Sequence, residues 1–129
     1  MTPVRVLIAD DNALLRQGIR SLFEARLEWQ VVGEAANGRE AVEKAMQLRP
    51  DIALMDISMP ELNGIEATRQ IVKSVPETEV LILTMDESEK TMREALEAGA
   101  RGYILKSDPP SDLFAAIDDI CKRKHFVIP

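Results

Sequence analysis

Two kinds of segment alternate along the chain. Short runs rich in Val, Ile and Leu, each of strand length, fall at residues 4–9, 31–35, 52–55, 80–83 and 103–105. Between them, apolar residues recur at helical spacing. Leu15, Ile19, Leu22 and Phe23 share one face, and Ala41, Val42, Ala45 and Met46 share the next. Ile65, Thr68, Ile71 and Val72 repeat the pattern, followed by Met92, Ala95 and Leu96, then Leu113, Ile117, Ile120 and Cys121. Each helix is expected to bury one such stripe. Gly38 and Gly64 open helices, Pro50 follows the end of the second, and Gly99 stands where the fourth must stop in a left-handed residue.

The pattern is strand then helix, five times. Such an alternation gives a parallel sheet with helices on both faces, because each crossover is long enough for a right-handed helical return. The expected fold is α/β, a flavodoxin-like doubly wound (βα)5 sheet with strand order 2-1-3-4-5. At 129 residues the chain has room for one core, so a single domain is expected.

Composition narrows the function. Hydrophobic residues make up 46% and charged residues 29%, a globular balance. The apolar run Val6-Leu7-Ile8-Ala9 is stopped by Asp10 and Asp11, which leaves neither a signal-peptide core nor a membrane span. Cys121 is the single cysteine and can form no internal disulfide, which favours a reducing cytoplasm. A net charge of −6 repels a phosphate backbone unless basic residues gather. The one basic cluster, Lys122-Arg123-Lys124, is better read as a helix C-terminus complementing the macrodipole. Direct nucleic-acid binding is therefore not expected.

In a sheet of this kind the ligand crevice lies beyond the carboxyl ends of the strands, where strand order reverses. Asp10 and Asp11 end the first strand and Asp56 ends the third, and these strands are neighbours in the expected order, roughly 5 Å apart. Three carboxylates that close cannot all stay ionised without a bound cation or raised pKa values. Oxygen ligands with no His or Cys beside them favour magnesium. Thr84 ends the fourth strand and Lys106 the fifth, adding a hydroxyl and an ammonium to the same rim. Taken singly, Asp11 or Asn12 reads as a helix cap, Asp56 as a turn former, Thr84 as a strand residue and Lys106 as a solvated charge. Asp10, Asp11, Asp56, Thr84 and Lys106 together, from four strands, read as one site for phosphoryl transfer.

The runs Ile8-Ala9-Asp10-Asp11-Asn12, Leu54-Met55-Asp56-Ile57-Ser58-Met59-Pro60 with Gly64, Leu83-Thr84-Met85 and Gly102-Tyr103-Ile104-Leu105-Lys106 resemble the receiver domain of two-component response regulators, over essentially the whole chain. The Thr-Met pair and the run through Ser107 most resemble the LuxR/FixJ-type, NarL-like transcription regulators. The resemblance implies that Asp56 accepts a phosphoryl group from a phosphohistidine on a sensor histidine kinase, or from a small acyl phosphate. It implies that Asp11 and Asp56 bind Mg2+ directly, with the backbone carbonyl of Ser58 as a third ligand and Asp10 acting through water. Lys106 would grip a phosphoryl oxygen. Thr84 would move to bond another, and Tyr103 would turn inward behind it. Such a protein is a phosphoacceptor switch that catalyses its own phosphorylation and dephosphorylation, not an enzyme acting on other substrates.

The same resemblance implies an output face over residues 87–124, meeting the protein's own output domain or a homodimer partner. Residues 1–124 would form the receiver domain and 125–129 the start of a linker to a DNA-binding helix-turn-helix domain that this chain does not contain. A naturally single-domain regulator is the other reading, and His125, without companion ligands, is incidental. Leu14 falls off the first helix's stripe beside the site and is a candidate contact for the kinase. Met85 and Ser107 depart from the commonest receiver pattern, where a small residue and a proline stand, so a cis bond after Lys106 is not assumed. Two rivals remain. An aspartate-nucleophile phosphatase needs a second acid two residues after the nucleophile, where this chain has Ser58. An inert receiver-shaped interaction module has no need of all five site residues. No glycine-rich loop follows the first strand to support nucleotide binding.

Overall fold

The five strands alternate their side chains between two helical layers, and the two layers are built from different residues. A computed structural model describes residues 3–124. In chain order the elements are β1 (Val4–Ala9), α1 (Ala13–Glu24), β2 (Trp29–Ala35), α2 (Gly38–Leu48), β3 (Ile52–Met55), α3 (Gly64–Ser74), β4 (Glu79–Thr84), α4 (Glu89–Glu97), β5 (Gly102–Leu105) and α5 (Pro110–Lys124). All four strand pairings are parallel, and the order is β2-β1-β3-β4-β5. This is the expected topology.

On one face Leu7, Ala9, Ala53, Met55, Val80 and Ile82 pack with Ala41 and Ala45 of α2, Ala67 and Ile71 of α3, and Ala95 of α4. The alanines let those helices approach the sheet closely. On the other face Val6, Ile8, Ile52, Leu54, Leu81 and Leu83 meet Ile19 and Phe23 of α1 and Leu113, Ile117 and Ile120 of α5. Phe23, Trp29 and Phe114 close that layer's lower end with ring centroids 5.0–5.9 Å apart, and the Arg26 guanidinium lies over Trp29 and Phe114.

Two expectations are refined. The strands reach further than the apolar runs: β2 begins at Trp29, β4 takes in Glu79 and Thr84, and β5 begins at Gly102. Polar and glycine residues at these ends join the ladder through backbone alone. Four stripe residues, Leu22, Met46, Met92 and Leu96, are exposed, because small residues such as Ala45 and Ala95 make the contact and the flanking positions turn to solvent. Residues 125–129, to which the linker and His125 readings belong, lie outside the described residues.

Between Val6 and Leu7 the β1–β2 register shifts by one residue, which sets Glu34 opposite Ile8 and Ala35 opposite Ala9. The Asp10 amide then donates to the Ala35 carbonyl at 2.9 Å. No described helix is long and apolar enough to cross a membrane.

Candidate functional site

Backbone bonds carry the sheet one step past its strands and pin the polar rim. Besides Asp10, the Asp56 amide donates to Ala9 and the Lys106 amide to Thr84, at 2.9 and 2.8 Å. Asp10, Asp56 and Thr84 are buried at 2%, 5% and 2% exposure, whereas Asp11 is exposed. One carboxylate oxygen from each of Asp10, Asp11 and Asp56 lies within 4.8 Å of the others. Asn12 caps α1 by accepting from the Leu14 and Leu15 amides, so Asp11 is not consumed as the cap and its carboxylate belongs to the cluster.

Lys106 closes the cluster. Its ammonium stands 2.7 Å from Asp10 Oδ2 and 3.4 Å from Asp56 Oδ1, with only 16% of the side chain exposed, so it is no solvated surface charge. Asp10 Oδ1 accepts from the Asn12 amide at 2.8 Å. Burial, reinforced by the charge of Asp10, pushes the Asp56 carboxyl above its ordinary pKa, and Lys106 works against that rise. Burial penalises the Lys106 ammonium, but the Asp10 bond and the two carboxylate charges outweigh it and raise its pKa. One cation facing three acids leaves negative charge uncompensated. A donor set of carboxylate oxygens without His or Cys suits a hard divalent cation.

The loop after β3 packs tightly on the site. Gly64, the first residue of α3, donates to the Ile57 carbonyl at 2.8 Å, and a Cβ there would fall 2.0 Å from the Asp56 carbonyl oxygen. Only glycine permits that approach. Ser58 is exposed on this loop.

On the far side of the rim, Thr84 Oγ1 accepts from the Asp86 amide at 3.2 Å. Tyr103 is half-buried against the alanine-lined layer, and its hydroxyl donates to the Asp86 carbonyl. Asp86 is held in turn: its carboxylate accepts from the Ser88 amide and the Thr91 hydroxyl, each at 2.8 Å, which keep its pKa below the usual range. Thus Thr84 and Tyr103 meet at one backbone segment, a link that sequence reasoning missed. The only trace in the chain is the spacing of Asp86, Ser88 and Thr91, a helix-capping arrangement. Arg16 was also missed; it donates to the Asp10 carbonyl.

Leu14 is 77% exposed at the start of α1. With Leu15, Leu22, Pro109, Pro110 and Leu113 it borders an apolar groove of about 640 Å³ between α1 and α5 that reaches Lys106.

Residues 6–118 match the family described as response regulator receiver domain. The transcriptional regulatory protein LnrK of Bacillus subtilis is 44% identical over 114 residues, covering 88% of this chain and 52% of that protein. The oxygen regulatory protein NreC of Staphylococcus aureus is 42% identical over 125 residues, 96% of this chain and 58% of its own. Among solved structures, a LuxR-family two-component response regulator from Aurantimonas sp. SI85-9A1 superposes with a TM-score of 0.87 at 39% identity, covering 92% of this chain and 85% of that one. The chain spans about half the length of these two curated relatives.

Proposed function

The chain belongs to the response regulator receiver domain family, and from that membership we propose that Asp56 is its phosphoacceptor, working with Mg2+. The observation that carries the reading is the convergence of Asp10, Asp11 and Asp56 on one point with Lys106 bridging two of them. Asp11 and Asp56 would ligate the ion, with the Ser58 carbonyl as a third ligand and Asp10 through water. Bound there, Mg2+ supplies charge neutralisation for the carboxylates and the phosphoryl oxygens.

In the transfer, an Asp56 carboxylate oxygen forms a bond to phosphorus while the phosphorus–nitrogen bond of a phosphohistidine breaks and its electron pair returns to the imidazole. Lys106 moves from Asp10 and Asp56 toward a phosphoryl oxygen. The Thr84 hydroxyl, which now accepts from Asp86, turns to donate to another, and the shared Asp86 segment passes that change to Tyr103. Hydrolysis of the acyl phosphate at the same site returns Asp56. The module thereby catalyses its own loading and unloading.

The donor is a sensor histidine kinase, which we place against Leu14 and the groove beside it. Leu14→Asp should slow transfer from a histidine-phosphorylated donor while leaving labelling by acetyl phosphate intact; equal rates from both donors remove the docking idea. The surface over residues 87–124, where Met92 and Leu96 stand exposed on α4, faces the output domain or a second copy. Residues 1–124 act as the receiver and 125–129 begin the linker. The output is transcriptional, through a helix-turn-helix domain in the whole protein, which works in the cytoplasm. Beryllofluoride with Mg2+ tests the switch. Amide NMR should show shifts at Asp56, Thr84 and Tyr103, and a spectrum unchanged by the additive would contradict the reading.

A further inference from the structure

Arg16 lies near the start of α1 on the side facing β2, and its guanidinium bonds in two directions. Nε reaches Glu34 Oε1 at 3.0 Å, and Nη1 donates to the backbone carbonyl of Asp10 at 2.5 Å. Only 16% of the side chain is exposed. Glu34 is itself braced, by Arg20 Nε at 2.7 Å and by the Lys44 ammonium on its backbone carbonyl. The Arg20 bond, with help from Arg16 against the cost of burial, holds the Glu34 carboxyl below its usual pKa, so it stays charged at neutral pH.

The Asp10 carbonyl is half of the peptide joining Asp10 to Asp11. Asp10 is fixed through its amide by Ala35 and through its carboxylate by Asn12 and Lys106. The tilt of the next peptide plane sets where Asp11 begins, and Asp11 is exposed, so no surrounding core orients it. Magnesium tolerates little departure from octahedral geometry. Groups that orient metal ligands from behind typically cost 10–100-fold in affinity when removed.

We propose that Arg16 is a positioning residue for the metal site: braced by Glu34, it holds the Asp10–Asp11 peptide so that the Asp11 carboxylate stands with those of Asp10 and Asp56. The inference rests on the magnesium reading above. It makes a prediction of definite sign, because a cation acting only through its charge would repel Mg2+ and its removal would tighten binding. Lysine is a poor substitute, since a single ammonium lacks the fork that serves Glu34 and the Asp10 carbonyl together.

The test is titration with magnesium chloride, followed by calorimetry or amide NMR, on the wild type, Arg16→Ala, Arg16→Lys, Arg20→Ala and Asp11→Ala. Thermal melts in EDTA report whether each variant is folded. Arg16→Ala should bind Mg2+ roughly tenfold more weakly, with only partial recovery in Arg16→Lys. Arg20→Ala, which removes another partner of Glu34 without touching Asp10, should weaken binding clearly less than Arg16→Ala does. Unchanged or tighter binding in Arg16→Ala overturns the proposal, as does an equal loss in Arg20→Ala. If Arg16→Ala does not fold, the same comparison is read from Arg16→Lys, where wild-type affinity is the contrary result. Failure of the wild type to bind Mg2+, or undiminished binding in Asp11→Ala, sinks the metal reading itself and this inference with it.

Discussion

Ionising Asp56 costs the fold stability, because the carboxyl is buried beside Asp10. Burial and the charge of Asp10 raise its pKa in the folded chain, so the native state holds the Asp56 proton more tightly than the unfolded chain does. That contribution to stability is fully present below the unfolded pKa and is lost as pH rises through the folded one. Above the folded pKa and without metal, the ionised carboxylate therefore destabilises. Asp56→Asn should raise Tm in EDTA by roughly a few degrees, with the difference shrinking as pH falls toward the acid range; a melting series across pH checks it. Lys106→Ala should have the opposite effect. It leaves Asp10 and Asp56 without their cation, at a cost of about 2 kcal/mol or more, while keeping the fold and uncoupling the response. Added Mg2+ should restore much of that loss in denaturant unfolding, because a divalent ion takes over the ammonium's role. At this scale the acids, Thr84 and Lys106 were legible in the sequence because each falls at the end of an apolar run. Arg16 was not, since it meets the site through the Asp10 backbone carbonyl, and neither was the Thr84–Tyr103 link, which runs through the backbone amide and carbonyl of Asp86; backbone groups carry no residue signature.

Helices α2 and α3 start at the glycines the sequence offers, and α1 to α4 each begin behind a side chain that accepts from first-turn amides. Asn12, Asn37, Asn63 and Ser88 cap α1, α2, α3 and α4. The cap of α3 directly precedes Gly64, which abuts the Asp56 backbone. Asn63→Ala should cost about 1 kcal/mol, read by urea unfolding, and leave Mg2+ affinity nearly untouched. Gly64→Ala differs, since its Cβ would meet the Asp56 carbonyl at 2.0 Å. Something must shift, so we expect destabilisation of about 2 kcal/mol or more together with weaker Mg2+ binding. Wild-type values for both would show that the loop is not packed as described. Gly38 makes a similar close approach, to Leu62, so the two glycines read as helix openers are also contact points. The helical stripes were less legible. Periodicity marks which side of a helix faces inward but not how wide the contact is, and where alanines form it, Met46 and Leu96 are left outside.

The strand order and the polar residues of the site fit one another. Asp10 and Asp56 can share Lys106 only if β1 and β3 are neighbours, and a doubly wound sheet that puts them side by side reverses direction there. This is why topology and site could be read together from the alternation of elements and the residues ending each strand. The use of the outer surfaces could not, because sequence does not show whether a partner covers the exposed Leu14, Met92 and Leu96. Across the whole molecule, three acids against one lysine within a chain of net charge −6 should make the fold respond to divalent cations. Mg2+ should raise Tm in proportion to the logarithm of its concentration above Kd. The most direct test of the phosphoacceptor assignment is intact mass after incubation with acetyl phosphate, with Mg2+ or with EDTA, for the wild type and Asp56→Asn. A single phosphoryl addition should appear only in the wild type with Mg2+; the same addition in Asp56→Asn, or in EDTA, or none at all, would contradict the assignment.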